Sequence, residues 1–540
     1  MKRCFYFGIL IISSLLLAVS IRYTTDNYYF DDLLISKSDY DNLKIARKPA
    51  ASELLNSVSL DNISLFYNEP DQEWFFSVPA GTEFSKLSAD FQSNNKNVKI
   101  AFCEVIKPGI SIPFIAYTDF EYKEYFLVAT TLPLIRIECA EDFISLMDYN
   151  LDTFPGENIR DEVYPMKFTL IDNRPERIQS VISSEGTIHV YGGTTLYMPK
   201  KNMRIALLEK NVGEDKQEYD ADLLGLRQDG DWLLYAGYND QEKVRNVFSA
   251  NLWTESCGYD NSFGLKNGIE YRYAELFINQ QYWGLYALGY PFDEKQTGIK
   301  PSNQGHYDEF LYKQQAFGPN DEGSDGIILQ FDADESDQNN GVLIMGMYFD
   351  LIQNQNTDSL WHNDMMNAID FWLYMKLCQA YDTVRYYGQS KNMFYTVKLT
   401  ETGRKILFTP WDGDNYWGNI WSVLGKNRTI PYGLKADDNS YENTVNPISF
   451  LRKQDPEINT AIQNRYAELR DTYWADSSID EMLDKMEQDI YDSGAYLREM
   501  KRWPDSSFQD PELKLSVFRT YVHDRFYSMD DYITNLDQQF

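Results

Sequence analysis

Acidic residues and an asparagine around a predicted hairpin are the part of this sequence best suited to chemistry. Asp382 follows an apolar segment, Lys391-Asn392 stands in the next loop, and Trp411-Asp412-Gly413-Asp414 comes directly after a strand-like run. Carboxylate and amide oxygens are hard ligands, which magnesium combines with oxygens of its substrate. A further carboxylate can orient a hydroxyl group and accept its proton. The pattern therefore favours metal-assisted chemistry on a hydroxyl nucleophile.

The elements predicted around these residues occur in an informative order. Apolar residues at three- and four-residue steps predict an amphipathic helix over 364–381, and alternating residues predict a hairpin with strands at 393–399 and 405–410. Protein-kinase active sites contain these parts in the same order: a helix, a loop with a downstream asparagine, a hairpin, and an aspartate at the exit of the hairpin. There, one aspartate accepts the proton of the attacking hydroxyl, while the asparagine and the second aspartate hold magnesium against phosphates.

Basic residues upstream offer partners for phosphate. Gly192-Gly193-Thr194-Thr195 lies in the turn after a strand at 187–191, and Pro199-Lys200-Lys201 opens the next strand. A glycine turn lets backbone amides approach phosphate, and a basic side chain beside it can neutralise charge. Neighbouring strand residues point to opposite faces, so one of the two lysines is expected in the site and the other on the surface. An ordinary hairpin turn is the alternative interpretation.

The charge balance excludes several classes of partner. Lys plus Arg number 50 against 82 Asp plus Glu, which gives a net charge of −32 over 540 residues. This field disfavours nucleic acid and anionic membrane surfaces, and it favours divalent cations and cationic substrates. Five cysteines make no disulfide framework in a chain of this length. Cys103 and Cys139 could still pair, and the sequence leaves that open.

The N-terminal segment predicts export. Met1-Lys2-Arg3 precedes an apolar run over 4–21, which is typical of a signal peptide or a signal anchor. Cleavage and retention as an anchor both remain open, because the run reaches the lower length of a spanning helix. The expected location is extracytoplasmic, either secreted or anchored at the cell surface, with membrane contact only through this segment.

The overall pattern predicts an α+β protein. Short alternating segments with turn residues follow the signal segment at 1–21 and predict a β-rich, sandwich-like accessory domain over 22–150. Residues 151–158 have linker composition. Strand signals and then helices follow, which predicts one further domain over 159–540.

Several blocks of this second domain together resemble the CotH kinase family of atypical secreted protein kinases. The resemblance runs from about residue 167 to the C-terminus. It rests on the glycine turn and Pro199-Lys200-Lys201, Leu223-Leu224-Gly225, Asp231-Trp232, Tyr238-Asn239-Asp240, Val244-Arg245-Asn246, Glu275-Leu276-Phe277-Ile278-Asn279, Trp283-Gly284-Leu285-Tyr286, Asp382 with Lys391-Asn392, and Pro410-Trp411-Asp412-Gly413-Asp414.

The resemblance implies transfer of the γ-phosphate of ATP to Ser or Thr of a secreted or cell-surface protein, with Mg²⁺ or Mn²⁺. It implies an atypical two-lobed protein-kinase-like domain with a helical C-terminal part. Asp382 is then the catalytic residue. The implied metal ligands are Asp412, Asp414 and Asn392, and the implied nucleotide-binding residues are Lys200, Lys201, Arg204 and Lys391.

Two positions depart from the family pattern. Tyr191 stands where many members carry an arginine, and Tyr290 stands where an acidic residue is usual. If that acid pairs with the nucleotide lysine, Asp293 or Glu294 would have to replace it. Two alternatives stay open: a non-catalytic (pseudokinase) surface scaffold or glycan- or protein-binding module, and a metal-dependent phosphate-ester hydrolase.

Overall fold

The computed structural model describes a chain of two compact units. The described residues are 23–24, 28–147, 159, 162–177, 180–209, 217–315, 326–380, 382–384, 390–421, 427–429 and 446–538. The predicted signal segment and the linker at 151–158 lie outside them. The first unit contains the described residues up to Phe76 together with Gly81–Ala129, and the second contains Ser77–Ala80 and the chain from Thr130 onwards.

The first unit is β-rich, as predicted. Its elements are β1 (Tyr23–Thr24), β2 (Tyr28–Tyr29), α1 (Lys37–Ile45), β3 (Lys48–Pro49), β4 (Ser57–Leu60), β5 (Ile63–Ser64), β6 (Phe66–Asn68), β7 (Glu73–Ser77), β8 (Ser88–Ser93), β9 (Lys99–Phe102), β10 (Ser111–Tyr117) and β11 (Glu121–Thr130). One sheet has the order β1-β8-β4-β5, and the other β6-β7-β11-β10-β9. Phe91 of β8 lies 5.8 Å from Phe114 of β10 and 6.5 Å from Phe102 of β9, between ring centroids. The two sheets therefore face one another as in a sandwich.

The second unit begins with a closed barrel. Its first elements are β12 (Leu134–Cys139), α2 (Glu141–Met147), β13 (Tyr164–Ile171), β14 (Val181–Tyr191), β15 (Asn202–Leu208), β16 (Asp231–Tyr235), α3 (Arg245–Ser256), β17 (Tyr271–Ile278) and β18 (Gln281–Gly289). The strand order around the barrel is β12-β13-β14-β15-β16-β18-β17. Parallel pairing of β12 with β17 completes the closure, so the barrel leaves no unpaired edge.

Strand β12 lies in the second unit, although the sequence analysis placed residues up to 150 in the accessory domain. Leu134, Ile135 and Ile137 are fully buried in the barrel, and the strand pairs with β13 and β17. An apolar strand pattern does not specify its partner, because pairing is decided by contacts far away in sequence. Cys103 and Cys139 are both free thiols, so the disulfide that the sequence left open is not formed.

A second sheet and a set of helices complete the second unit. These elements are α4 (Glu294–Thr297), β19 (Phe310–Gln314), β20 (Ile327–Leu329), α5 (Glu335–Gln353), α6 (Met365–Leu377), β21 (Met393–Thr400), β22 (Gly403–Pro410), β23 (Asn419–Trp421), β24 (Asn427–Thr429), α7 (Ile448–Gln454), α8 (Pro456–Arg470), α9 (Asp476–Glu487), α10 (Ala495–Arg502) and α11 (Ser516–Thr534). The sheet order is β20-β19-β21-β22. Among the described residues, no helix combines the length and apolar character needed to cross a bilayer.

Helix α6 and the hairpin β21–β22 form where the sequence predicts them. Asp364 caps α6 by accepting a hydrogen bond from the backbone N–H of Asn367. The helix is not amphipathic, however, because every side chain from Asn367 to Leu377 is buried. Arg465 of α8 makes a bidentate ion pair with the buried carboxylate of Asp370 on α6. A polar side chain of α6 thus has its partner inside the unit. The spacing of residue types alone does not reveal such a buried partner.

Helix α3 is fixed at its N-terminus by buried charges. Asp240 accepts hydrogen bonds from the backbone N–H groups of Val244 and Arg245, at 2.7 and 2.6 Å. The Arg245 guanidinium in turn bonds to the carboxylates of Asp240 and Glu242. A carboxylate at the first turn satisfies free N–H groups and suits the helix dipole. The start of α3 is therefore held in one position.

Gly284 of β18 allows α10 to pack on the barrel, which gives a stability prediction. Its φ is +125°, and an added Cβ would overlap Glu499 Oε2 and lie 3.0 Å from Trp503 Nε1. We expect Gly284→Ala to lower the free energy of unfolding by about 2–4 kcal/mol, since backbone strain and overpacking add. Urea unfolding followed by circular dichroism measures this change.

Gly346 is the matched control, because it lies in α5 with nothing within 4 Å of an added Cβ. Gly346→Ala should be neutral or stabilising by up to about 1 kcal/mol. Equal stability of the two variants would contradict the packing described for Gly284.

Candidate active site

Asp382 stands beyond the end of α6 and is held by the loop that follows it. Its Oδ1 lies 2.9 Å from Lys391 Nζ, and its Oδ2 accepts a 3.1 Å hydrogen bond from Asn392 Nδ2. Asn392 is itself fixed, because its N–H donates to Gln314 O and its carbonyl accepts from Trp411 N–H. Three of the predicted site residues therefore form one hydrogen-bonded group.

The turn after β22 presents the other two predicted aspartates. Asp412 has a left-handed backbone with φ of +60°, and the N–H of Gly413 donates a 2.9 Å hydrogen bond to Asn246 Oδ1 of α3. A Cβ on Gly413 would lie 2.8 Å from the Cβ of Ser249. Glycine is required here because the turn lies directly against α3. Asp414 is buried, and its Oδ1 accepts from Asn415 Nδ2 at 2.8 Å.

The carboxylates of the two segments lie within range of one another's charge. Removal from water raises the pKa of Asp412, although part of the side chain still reaches solvent; Lys313 and Lys391 oppose this shift and Asp382 adds to it. Burial also raises the pKa of Asp414, followed by the charges of Asp412 and Asp382. Such a group of partly dehydrated, mutually repelling carboxylates favours a bound cation.

The donor set suits a hard divalent cation shared with substrate oxygens. Asp382, Asp412 and Asp414 do not bring three ligand atoms within 4.8 Å of one another, whereas two other groups of described residues do, one of three carboxylates and one of a histidine with two carboxylates. Magnesium commonly binds through one or two carboxylates and completes its shell with phosphate oxygens and water. Asp412 with the Asn392 side-chain oxygen, or Asp412 with Asp414, meets that requirement.

Acidic residues of the two other compact groups already have partners within the protein. Lys295 Nζ lies 2.7 Å from Glu218 and 3.1 Å from Asp229 in the first group, Glu218–Asp220–Asp229. In the second, His306–Asp334–Asp337, Asp334 caps α5 and Asp337 accepts from the N–H of Tyr307. These acids have structural partners, so the acidic residues after Trp411 remain the candidate metal ligands.

Three tyrosines of the barrel strands lie within the electrostatic range of Asp412. Tyr191 ends β14, Tyr235 ends β16 and Tyr271 begins β17. The charge of Asp412 contributes to the raised pKa of each of these tyrosines, after the larger effect of burial. Residues of the barrel therefore belong to the surroundings of Asp412.

Space beside Asp412 is limited on the side of α3. A cavity of about 20 Å³ is lined by Asn246, Tyr271, Trp411 and Gly413 among others. This volume accommodates a water-sized particle and not a nucleotide. A nucleotide would therefore have to approach Asp412 from its solvent-exposed side.

Lys313 is a cation of this site that sequence reasoning missed. It lies on β19 opposite Phe394 of β21, and its Nζ stands 4.9 Å from the centroid of the Trp411 ring. Burial lowers the pKa of Lys313, and the charge of Asp412 opposes that shift. The segment 310–314 carries no motif, so only the pairing of β19 with β21 reveals the position. Lys313 and Lys391 are the two lysines that influence the pKa of Asp412.

The basic residues predicted for the nucleotide have other partners. Lys200 Nζ donates to Ala236 O at 2.7 Å, Leu285 O at 2.5 Å and Glu499 Oε1 at 2.6 Å, which uses its three hydrogens. Lys201 Nζ donates to Met198 O at 2.8 Å. Both lysine side chains are buried, so the prediction that one lies on the surface is wrong. They precede β15, where the alternation of a strand does not apply.

Arg204 lies on the wall of the barrel. Its Nη2 is 2.9 Å from Asp231 Oδ2, and the side chain is about one third exposed. The charge of Arg204 lowers the pKa of Tyr191, against the larger effect of burial. Arg204 is therefore within the electrostatic range of Tyr191, but it is paired with an acid of its own.

Glu499 is the acidic partner of Lys200, and no local sequence pattern indicates it. The expected replacements are used elsewhere, since Asp293 caps α4 and accepts from Arg227. Tyr290 donates to Glu270 and lies against the Arg227 guanidinium. The partner comes instead from α10, 299 residues after Lys200. No local pattern could have related the two residues.

The Lys200–Glu499 pair generates a stability prediction. Both side chains have zero exposure, and removing one member of a buried ion pair leaves an uncompensated charge. We expect Lys200→Met to lower the free energy of unfolding by about 3–5 kcal/mol, and Lys200→Met/Glu499→Leu to cost less than the two single changes added together. Urea unfolding of the four proteins in this double-mutant cycle measures the coupling.

Lys514 provides the control, because its ion pair with Asp492 is about half exposed. Lys514→Met should change stability by less than about 1 kcal/mol. A Lys200→Met protein as stable as the wild type would contradict the buried-pair interpretation.

Comparison with known proteins agrees with the arrangement of these parts. A family model described as CotH kinase protein matches residues 188–529, and no curated protein matches the chain. The matched segment begins near the end of β14 and continues into α11, so it includes Asp382, Asn392, Asp412 and Asp414. It covers well over half of the 540 residues. The chain therefore belongs to the CotH kinase protein family.

Proposed function

We propose that this chain is an exported atypical protein kinase that transfers the γ-phosphate of ATP to Ser or Thr of a secreted or cell-surface protein. The single observation that carries the proposal is the group formed by Asp382, Lys391 and Asn392, placed within the electrostatic range of Asp412. Its order along the chain and its hydrogen bonds correspond to the catalytic loop and metal-binding aspartate of kinases. The predicted signal segment supports an extracytoplasmic location.

Asp382 is the residue assigned to the acceptor hydroxyl. Its carboxylate can orient a Ser or Thr hydroxyl and take its proton as the bond to phosphorus forms. Lys391 and Asn392 hold the two oxygens of this carboxylate in place. Positioning of this kind is the main contribution a protein makes to phosphoryl transfer.

Asp412 and Asn392 are the residues assigned to a divalent cation, with Asp414 as a further ligand. The cation, when bound, neutralises charge on the ATP phosphates. Lys313 and Lys391 face the same carboxylates and are assigned to the phosphate oxygens. Lys200 is assigned a structural role, because its ammonium is saturated by protein acceptors.

A non-catalytic scaffold is the second candidate function. One observation favours it: the small volume beside Asp412. A scaffold would keep the fold and bind its partner without turnover. Phosphoryl transfer by the purified chain distinguishes the two functions.

The proposed function predicts measurable phosphoryl transfer. The full chain, incubated with γ-labelled ATP, Mn²⁺ or Mg²⁺ and a Ser/Thr-rich acceptor protein, should incorporate label into the acceptor or into itself. Asp382→Asn should lower the rate by about 10²–10⁴-fold, because the proton acceptor is lost, while stabilisation of the protein by ATP persists.

Asp350→Asn is the matched control, since Asp350 is an exposed residue of α5. Unchanged transfer by Asp382→Asn would remove Asp382 from the mechanism. Absence of transfer by the wild type, with no thermal shift on addition of ATP and metal, would support the scaffold instead.

The proposed function also predicts which residues determine the affinity for ATP. Calorimetric titration with ATP in Mn²⁺ should give an affinity at least about tenfold weaker for Lys313→Met, since a charged hydrogen-bond partner of the phosphates is lost. Asp412→Asn should abolish the dependence of ATP binding on the metal.

Lys300→Met, at an exposed position, should bind ATP as the wild type does. Equal affinities of Lys313→Met and Lys300→Met would show that Lys313 does not contact the phosphates.

A further inference from the structure

A cavity of about 500 Å³ lies in the second unit, behind the candidate active site. Its walls come from α3, the start of β17, α9 and the segment 131–133. The volume falls in the range of pockets that take small organic ligands. Nothing in the proposed phosphoryl transfer uses this cavity.

The cations that line the cavity are already paired. Lys485 Nζ lies 2.6 Å from Asp489 Oδ1. Arg174 makes a bidentate pair with Asp172, and Arg272 Nη1 donates to Tyr271 O at 2.9 Å. An anionic ligand would have to compete with these partners, so an anion is disfavoured.

Two acids of the cavity lack such partners. Among the described residues, the carboxylates of Glu255 and Glu481 make no hydrogen bond or ion pair, and both side chains are solvent-accessible. Removal from water raises the pKa of Glu255, and Arg272 only partly offsets this effect. Tyr271 and Tyr273 line the same space. Carboxylates and aromatic rings together recognise ammonium and guanidinium groups.

One helix connects the cavity with the acidic turn. Val247, Asn251 and Glu255 of α3 recur at four-residue steps and face the cavity. On another stripe of the same helix, Asn246 Oδ1 accepts from the N–H of Gly413, and Ser249 Oγ accepts from Trp417 Nε1 at 3.0 Å. Residues three or four apart share a helix face, so α3 contacts the cavity with one stripe and the turn of Asp412 with another.

We propose that this cavity binds a small organic cation carrying a primary amine or guanidinium group, with Glu255 and Glu481 as its anionic contacts. Contacts with an occupant add to those that already hold α3, and so further stabilise the turn that carries Asp412, which raises the affinity for ATP. The effect of the occupant on ATP affinity rests on the proposed function, whereas the binding site itself does not.

Binding is tested on the full chain without nucleotide. Calorimetric titration with putrescine should show saturable binding, and butane-1,4-diol, its uncharged analogue, should not bind. Glu255→Gln and Glu481→Gln should each weaken binding by about tenfold or more. Glu457→Gln, an exposed residue at the start of α8, should leave the affinity unchanged. No saturable binding of putrescine, or equal binding by Glu255→Gln and the wild type, would overturn the proposal.

The coupling is tested separately. The ATP affinity measured in saturating putrescine should be at least about fivefold higher than without it, and putrescine should gain the same factor from ATP. Putrescine binding without any ATP binding would leave the site standing and count against the proposed function. ATP binding that putrescine does not alter would overturn the coupling through α3.

Discussion

Mutual repulsion among Asp382, Asp412 and Asp414 is the constraint that the surrounding structure has to satisfy. Burial raises the pKa of Asp412 and Asp414, and the charge of Asp382 adds to both shifts. Lys391 and Lys313 oppose the repulsion from two different segments of the chain. Asn392 and Asp412 both have a left-handed backbone. Hydrogen bonds of Asn392 with Gln314 and Trp411, and of Gly413 with Asn246, hold these two segments in place. The arrangement stores an electrostatic cost that a bound cation would relieve.

Helix α3 connects the turn that carries Asp412 and Asp414 to the rest of the second unit. Its N-terminus is fixed by Asp240, whose charge also adds to the raised pKa of Asp414. Asn246, the second residue of α3, holds the glycine between the two aspartates of the turn. Two short sequence blocks that resemble the family therefore have different physical roles: Asp240 caps a helix, and Asn246 positions a turn.

The sequence predicted the parts of this site that are local. Helix α6, the hairpin β21–β22 and the residues at its exit follow from periodicity and spacing within about 50 residues. Parts that depend on distant pairing were missed: Glu499 beside Lys200, Lys313 beside Trp411, and β12 in the barrel. In each case a tertiary contact decided what the local pattern left undetermined.

The burial of Lys200 against Glu499 has a consequence for synthesis. The ribosome makes the chain from its N-terminus, so the lysine emerges 299 residues before the carboxylate that neutralises it. At typical elongation rates the delay is roughly 15–60 s. Until Glu499 has been made, a closed barrel holds the Lys200 amine with only the carbonyl oxygens of Ala236 and Leu285 as acceptors. The closed form therefore gains the full stabilisation of this lysine only after α10 has been synthesised.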